Sequence, residues 1–307
     1  MSVIERMLFK AFFVLSHVLA RGRVTYLLLG VLNRFQKNFV SVFYTYAGSE
    51  AYIRRYVLSG LVNATRWYPT PIGIMKQGDG WGLVLASPLL EKEFLNKDNQ
   101  DELRGLVDRV HQVARWIGAE RVSMAGILPS HLAKKGLPID KSDPRPATSQ
   151  ALEEAVNEVC DRMGIALTQP VIVLGAGGFI GSHFVAHMAR TGRSVMPVDP
   201  AIGITELPME LAGQKCVLLD IARRGTIRKY INQLWPELTL LNETYPVPAP
   251  SVVKRIRAKG IAIYHVSGVD GFVFPDLPVG YEKAVPCCAV HEYVQPIGVR
   301  LMQVEVP

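Results

Sequence analysis

The chain has 307 residues, a formal net charge of +7, 49% apolar and 20% charged residues, enough apolar matter for about two packed domains and too much for a disordered or low-complexity protein. Four cysteines, Cys160, Cys216, Cys287 and Cys288, do not make a disulfide framework and read as the reduced thiols of a cytosolic chain. So small a charge for this length does not mark a nucleic-acid binder, and the scattered histidines support no metal site.

The charge is uneven. Residues 1–45 hold six bases and one acid, Glu5, so +5 of the total +7 lies there. The same stretch carries the apolar runs Met7–Ala20 and Tyr26–Leu32. Lys10, Arg21 and Arg23 keep either run below the roughly 18 apolar residues of a membrane span. No small-x-small cleavage site follows the first run. Two readings stay open: a pair of core helices that can include a face for a homo-oligomer, or an interfacial helix that dips into a membrane surface and makes the protein peripheral.

Residues 46–147 read as an α/β domain suited to a substrate. Trp81–Ala86 is strand-like. Leu103, Val107, Val110, Val113 and Ile117 recur at steps of three or four and predict a helix over 101–117. Glu120–Gly126 reads as a strand running into a loop. The stretch 136–147, with three prolines, marks a boundary. Thr148 or Ser149 is the expected cap of the next helix, Gly164 its stop.

The strongest local signal begins at Val171. A buried-strand run, Val171–Leu174, leads into Gly175-Ala-Gly177-Gly178-Phe179-Ile180-Gly181, a helical stretch to Gly192, and a second strand ending at Asp199. Strand, glycine turn, helix and strand in that order describe a dinucleotide-binding unit. Gly175 allows the tight turn, Gly177 and Gly178 let the backbone approach a pyrophosphate, and Gly181 lets the helix pack close. The helix N-terminus then favours the anion. Asp199 is placed to accept a hydrogen bond from a ribose 2′-hydroxyl and to repel a 2′-phosphate, which favours NAD(H) over NADP(H); its other reading is a cap on the turn at Pro200. Strands follow at Cys216–Asp220, Leu238–Asn242 and Ile261–His265, with Asp220 and Ile221 expected to border an adenine. The basic helix 252–259 reads as a solvated face, or as a dock for an acidic carrier.

Pro286 suits the first turn of a helix, which would set Cys287 and Cys288 at its N-terminus, where the dipole favours a thiolate. His291 lies four residues on, on the same face. Thiolate and imidazole together suit attack on a thioester carbonyl. The other reading is two small core thiols.

Several segments in order resemble the long-chain acyl-(acyl carrier protein) reductases of cyanobacterial type: Gly118–Leu128, the Thr148 helix to Gly164, Gly175–Ser182, Tyr245-Pro246, Lys259–Ile263, Ser267–Val269, and Pro286–Ala289 where that family carries its acylated cysteine. The resemblance implies an NAD(P)H-dependent reductase that takes an acyl thioester from acyl carrier protein and releases an aldehyde, with Cys287 as acyl carrier. The family generally uses NADPH, against the reading of Asp199. The order of domains is also similar to shikimate and methylene-tetrahydropterin dehydrogenases, which implies hydride transfer without a covalent step. A nucleotide-binding scaffold is the third reading. The expected architecture is a basic apolar segment (1–45), an α/β substrate domain (46–147) and a Rossmann-like doubly wound parallel sheet (148–307).

Overall fold

The computed structural model describes residues 3–78, 80–137, 143–277, 281, 283–290 and 298–305. In chain order the first elements are α1 (Val3–Arg21), α2 (Val24–Gln36), β1 (Phe39–Tyr46), α3 (Glu50–Tyr56), α4 (Val62–Thr65), β2 (Thr70–Gln77), β3 (Gly80–Ser87), α5 (Glu91–Leu95), α6 (Gln100–Ile117), β4 (Arg121–Met124) and α7 (Leu128–Lys134). They continue with α8 (Arg145–Met163), β5 (Val171–Leu174), α9 (Phe179–Arg190), β6 (Val195–Val198), β7 (Cys216–Asp220), β8 (Leu238–Asn242), α10 (Pro250–Arg257), β9 (Ala262–Val269), β10 (Phe272–Phe274) and β11 (Val299–Gln303). The chain divides into two compact units, Met1–Pro144 with Gly271–Asp276, and Arg145–Asp270 with Leu277–Pro307.

The first unit is built on a five-stranded sheet in the order β10-β2-β3-β1-β4, in which β1 runs parallel to β3 and β4 and the other pairs are antiparallel. The apolar stripe of α6 (Leu103, Leu106, Val107, Val110, Val113 and Ile117) is buried against this sheet, and Gly118 ends the helix in the left-handed region. The expected separate segment 1–45 is not separate: its last residues form β1, the strand between β3 and β4. A stretch assigned by sequence to the nucleotide domain also belongs here, because β10 pairs with β2 through Phe272↔Lys76, Val273↔Met75 and Phe274↔Ile74.

Helix α2 lies on α6 through a small and polar face. Gly30 sits so close that an added Cβ would be 2.0 Å from the Trp116 carbonyl oxygen. Asn33 donates to the carbonyls of Phe39 and Ile117 at 2.8 Å each. Gly30→Val is therefore expected to lower the stability of this unit by about 3 kcal/mol, since a backbone carbonyl cannot yield as a side chain can. A urea denaturation series checks it; an unchanged midpoint would mean that α2 is not seated on α6.

The second unit is a six-stranded sheet in the order β11-β9-β8-β7-β5-β6, all parallel except β11. Alternate residues of each strand serve opposite faces. Ile172, Leu174, Leu218 and Leu240 pack with Ile227, Trp235 and Val252 on one face. Val171, Val173, Val217, Leu219 and Leu241 pack with α8 and α9 on the other. This double cover explains the unbroken apolar runs of β5 and β7. The result is a doubly wound, Rossmann-like α/β sheet. From β5 the chain passes first to β6 on one side and then to β7 on the other, so the order reverses between β5 and β7. Ligands of such sheets bind outside the carboxyl ends of the strands at that reversal.

Helix α8 begins at Arg145, earlier than Thr148 or Ser149 could cap it. Pro146 fits a first helical turn, so the two hydroxyls enter the helix and turn inward instead. Leu152, Val156 and Val159 are buried as expected, and Gly164 follows with φ +59°.

Candidate functional site

The reversal point holds the glycine loop. Gly175, at the end of β5, has φ +95°, and a Cβ there would fall 2.7 Å from the Ala222 backbone just beyond β7. Gly178 N–H donates to the Gly175 carbonyl at 3.0 Å, which closes the turn. Gly178 precedes α9 and no side chain caps that end, and an uncapped helix N-terminus favours an anion. A Cβ on Gly181 would lie 2.0 Å from the Gly175 oxygen. Only glycine permits that crossing of helix over strand end. Phe179 lies under the Arg145 guanidinium, 4.7 Å from its ring centre, and Ile180 packs into the α8–α9 core.

Asp199 stands at the end of β6 beside this loop. Its two carboxylate oxygens accept from Gly177 N–H (3.1 Å) and Ala201 N–H (2.8 Å). The cap on the turn at Pro200 is therefore present, and the same carboxylate is anchored to the glycine loop. Arg193, which could have offset its charge, points elsewhere, donating to Asn157 and to the Cys160 sulfur. Asp220, at the end of β7, is 1% exposed and accepts from Ala222 N–H at 3.1 Å. Burial pushes its carboxyl up to about 7; the Ala222 N–H opposes this shift and Glu243 adds to it. Ile221 follows, tied to β5 by its N–H to the Leu174 carbonyl at 3.0 Å.

A second group, missed in the sequence, gathers past β8. Glu243 follows β8, and its N–H donates to the Asp220 carbonyl at 3.0 Å. Its carboxylate accepts from the Cys287 thiol, Sγ–Oε1 3.3 Å, and burial pushes it up to about 7. Asn242 Nδ2 donates to the Thr244 carbonyl and to His265 Nδ1, each at 2.8 Å. Because the carbonyl can only accept, the amide orientation is fixed, and the His265 proton is left on Nε2. Thr148 donates to the Cys287 carbonyl at 3.4 Å, and Ser149 is bonded to His183 Nδ1 at 2.8 Å. Tyr245 and Tyr281 stack, with ring centres 4.7 Å apart.

The expected helix at Cys287 is absent. Val285 pairs with Val269 in an extended bridge, so the chain arrives as sheet edge and makes only a three-residue 3₁₀ turn, Cys287–Ala289. The expected helix N-terminus at Cys287 is therefore not formed by this turn. Burial and the Glu243 carboxylate push the Cys287 thiol well up, which favours the thiol over the thiolate. His291 lies outside the described residues. The expected basic helix 252–259 is α10 and the turn after it, and its charges are partly structural: Lys259 donates to the Leu234 carbonyl at 2.8 Å, and Arg257 pairs with Glu305.

The signal that would have found Glu243 is the one that found Asp220. Polar residues immediately past the carboxyl end of a parallel strand line the ligand edge, and Asn242-Glu243-Thr244 is such a run. A pocket of about 50 Å³ lies between the ends of β7 and β8, bordered by Asp220, Asn242, Thr244, Arg224 and Arg228. It has room for one or two waters.

No family model matches the chain, and no curated protein matches it. Among solved structures, a quinate dehydrogenase from Corynebacterium glutamicum, in complex with NAD, is similar at a TM-score of 0.34 and 15% identity, over 73% of this chain and 87% of that one.

Proposed function

We propose that the second unit binds NAD(H) and that the chain is an oxidoreductase working without a covalent intermediate. The observation that carries this is the loop geometry. Gly175 and Gly181 occupy positions a Cβ would fill, and the carboxylate of Asp199 is fixed against Gly177 at the end of the neighbouring strand. Backbone N–H groups at the start of α9 would hold the pyrophosphate, and the free lone pairs of Asp199 would accept from the adenosine ribose. NAD, when bound, supplies hydride acceptance or donation. Glu243 then suits proton exchange with the substrate oxygen, because a carboxyl near 7 both gives and takes a proton at neutral pH. The acyl-thioester route implied by the resemblance needs a thiolate at Cys287, and its surroundings oppose one.

Calorimetric titration of NADH and NADPH tests the reading. NADH is expected to bind at least tenfold more tightly. Asp199→Ala is expected to weaken NADH about tenfold and to narrow the gap to NADPH, since a charge-assisted hydrogen bond is worth about 1.5–3 kcal/mol. Failure of both nucleotides to bind would overturn the proposal. Tighter NADPH would remove Asp199 from the ribose.

A further inference from the structure

Helices α1 and α2 turn the wrong face to solvent. On α1 the exposed side chains are Met7, Leu8, Phe12, Leu15, Val18 and Leu19. At 100° per residue they span an arc of about 140°. On α2 they are Val24, Leu27, Leu28, Val31, Leu32 and Phe35, with Phe35 84% exposed, and these also fall within about 140°. Twelve of the twenty large apolar side chains exposed among the described residues lie on these two helices, each at least 43% exposed. Apolar exposure concentrated in this way, rather than scattered singly, marks an interaction surface.

The inner faces are well occupied. Phe13, His17 and Ala20 of α1 and Tyr26, Gly30 and Asn33 of α2 point inward. His17 Nδ1 is bonded to Thr70 Oγ1 at 2.9 Å, and Tyr68 donates to the Ala20 carbonyl at 3.1 Å. Arg21 and Arg23, in the elbow, lie over Tyr68 and Trp116 at 5.6 and 5.1 Å from the ring centres. The outer faces are therefore presented by helices that the unit holds in place.

Charge selects the occupant. On the helical wheel Arg34 lies about 20° from the edge of the α2 arc; Lys10, half-buried, lies about 60° outside the α1 arc, and Arg23 stands in the elbow before α2. Lys37 follows α2, and Glu5 is the one acid among residues 1–45. A second copy of the chain would bring the same basic rim against itself. An anionic lipid surface supplies both an apolar layer and the opposite charge. Among the described residues no single helix is long and apolar enough to cross a membrane; α1 and α2 reach that length and composition only as a pair bent by 76°, a geometry that suits lying along a surface. We infer that α1 and α2 dock the protein on the surface of an anionic membrane, with their outer faces in the interfacial layer and their basic residues at the headgroups.

Sedimentation of the full chain with vesicles tests this. Phosphatidylcholine vesicles with about one-third phosphatidylserine are expected to bind at about 50 mM salt roughly tenfold more protein than phosphatidylcholine alone, and to release it near 0.5 M salt. Leu28→Glu with Phe35→Glu, both at exposed positions, is expected to abolish binding and to leave the circular dichroism spectrum and melting temperature unchanged. Protein that stays in the supernatant at low salt would overturn the inference, as would binding indifferent to charge and salt. A dimer in light scattering that these substitutions dissociate would also overturn it and assign the face to a second copy.

Discussion

Gly181→Val is expected to abolish measurable NADH binding, a loss of at least a hundredfold, with a fall in melting temperature. The new Cβ would sit 2.0 Å from the Gly175 carbonyl oxygen. That oxygen accepts from Gly178 N–H and closes the loop. Relief requires α9 to lift from the end of β5, which carries its N-terminal N–H groups away from the loop. A hundredfold loss corresponds to about 2.7 kcal/mol, within what one misplaced charge-assisted contact set can cost. Titration calorimetry with far-UV circular dichroism reads both effects. Retained affinity in a folded variant would show that the nucleotide is held elsewhere.

The second large effect is on pH. Asp220 has an ordinary value of 3.8 and is raised to about 7 in the folded chain. Between these values the folded state holds a proton that the unfolded state has lost. Stability therefore falls as pH rises from about 4 to about 7 and is level above. For Asp220, 1% exposed, the loss between pH 5 and pH 8 is about 3 kcal/mol. Glu243, also raised to about 7, acts in the same direction. Urea midpoints at pH 5 and pH 8 are expected to show the fall, and Asp220→Asn is expected to reduce it. A stability that rose over this range would contradict the burial of both carboxyls. The same poise would give catalysis a pH dependence centred near neutrality.

What could be read from the sequence was what local physics decides. The run Val171–Leu174 is apolar at every position because both faces of β5 are covered, and glycines at 175, 178 and 181 sit where backbone crowds backbone. That pattern needs no distant partner to be seen. The start of α8 was hidden because Thr148 and Ser149 resemble caps, whereas their hydroxyls serve Cys287 and His183 on other segments. Pro286 promised a helix, yet the pairing of Val285 with Val269 set the chain in an extended path before the cysteines. Glu243 and Cys287 are 44 residues apart, and no periodicity joins them. The N-terminal helices are apolar nearly all round. Composition could not say which arc faces inward; Gly30 and Asn33, fitted to α6, decide it.

The small strand β10 has a consequence for biosynthesis. It completes the edge of the first unit's sheet beside β2, at Gly73, where a Cβ would lie 2.3 Å from the Phe274 oxygen. Yet it is encoded more than a hundred residues after Pro144. A ribosome adding about 5–20 residues per second takes on the order of ten seconds to deliver it. During that interval β2 is an open edge, with unpaired amide and carbonyl groups available to any passing strand. The amino-terminal half thus cannot finish folding before most of the carboxy-terminal half has been made. A nascent chain halted after Pro144 would emerge with one border of its sheet unsealed.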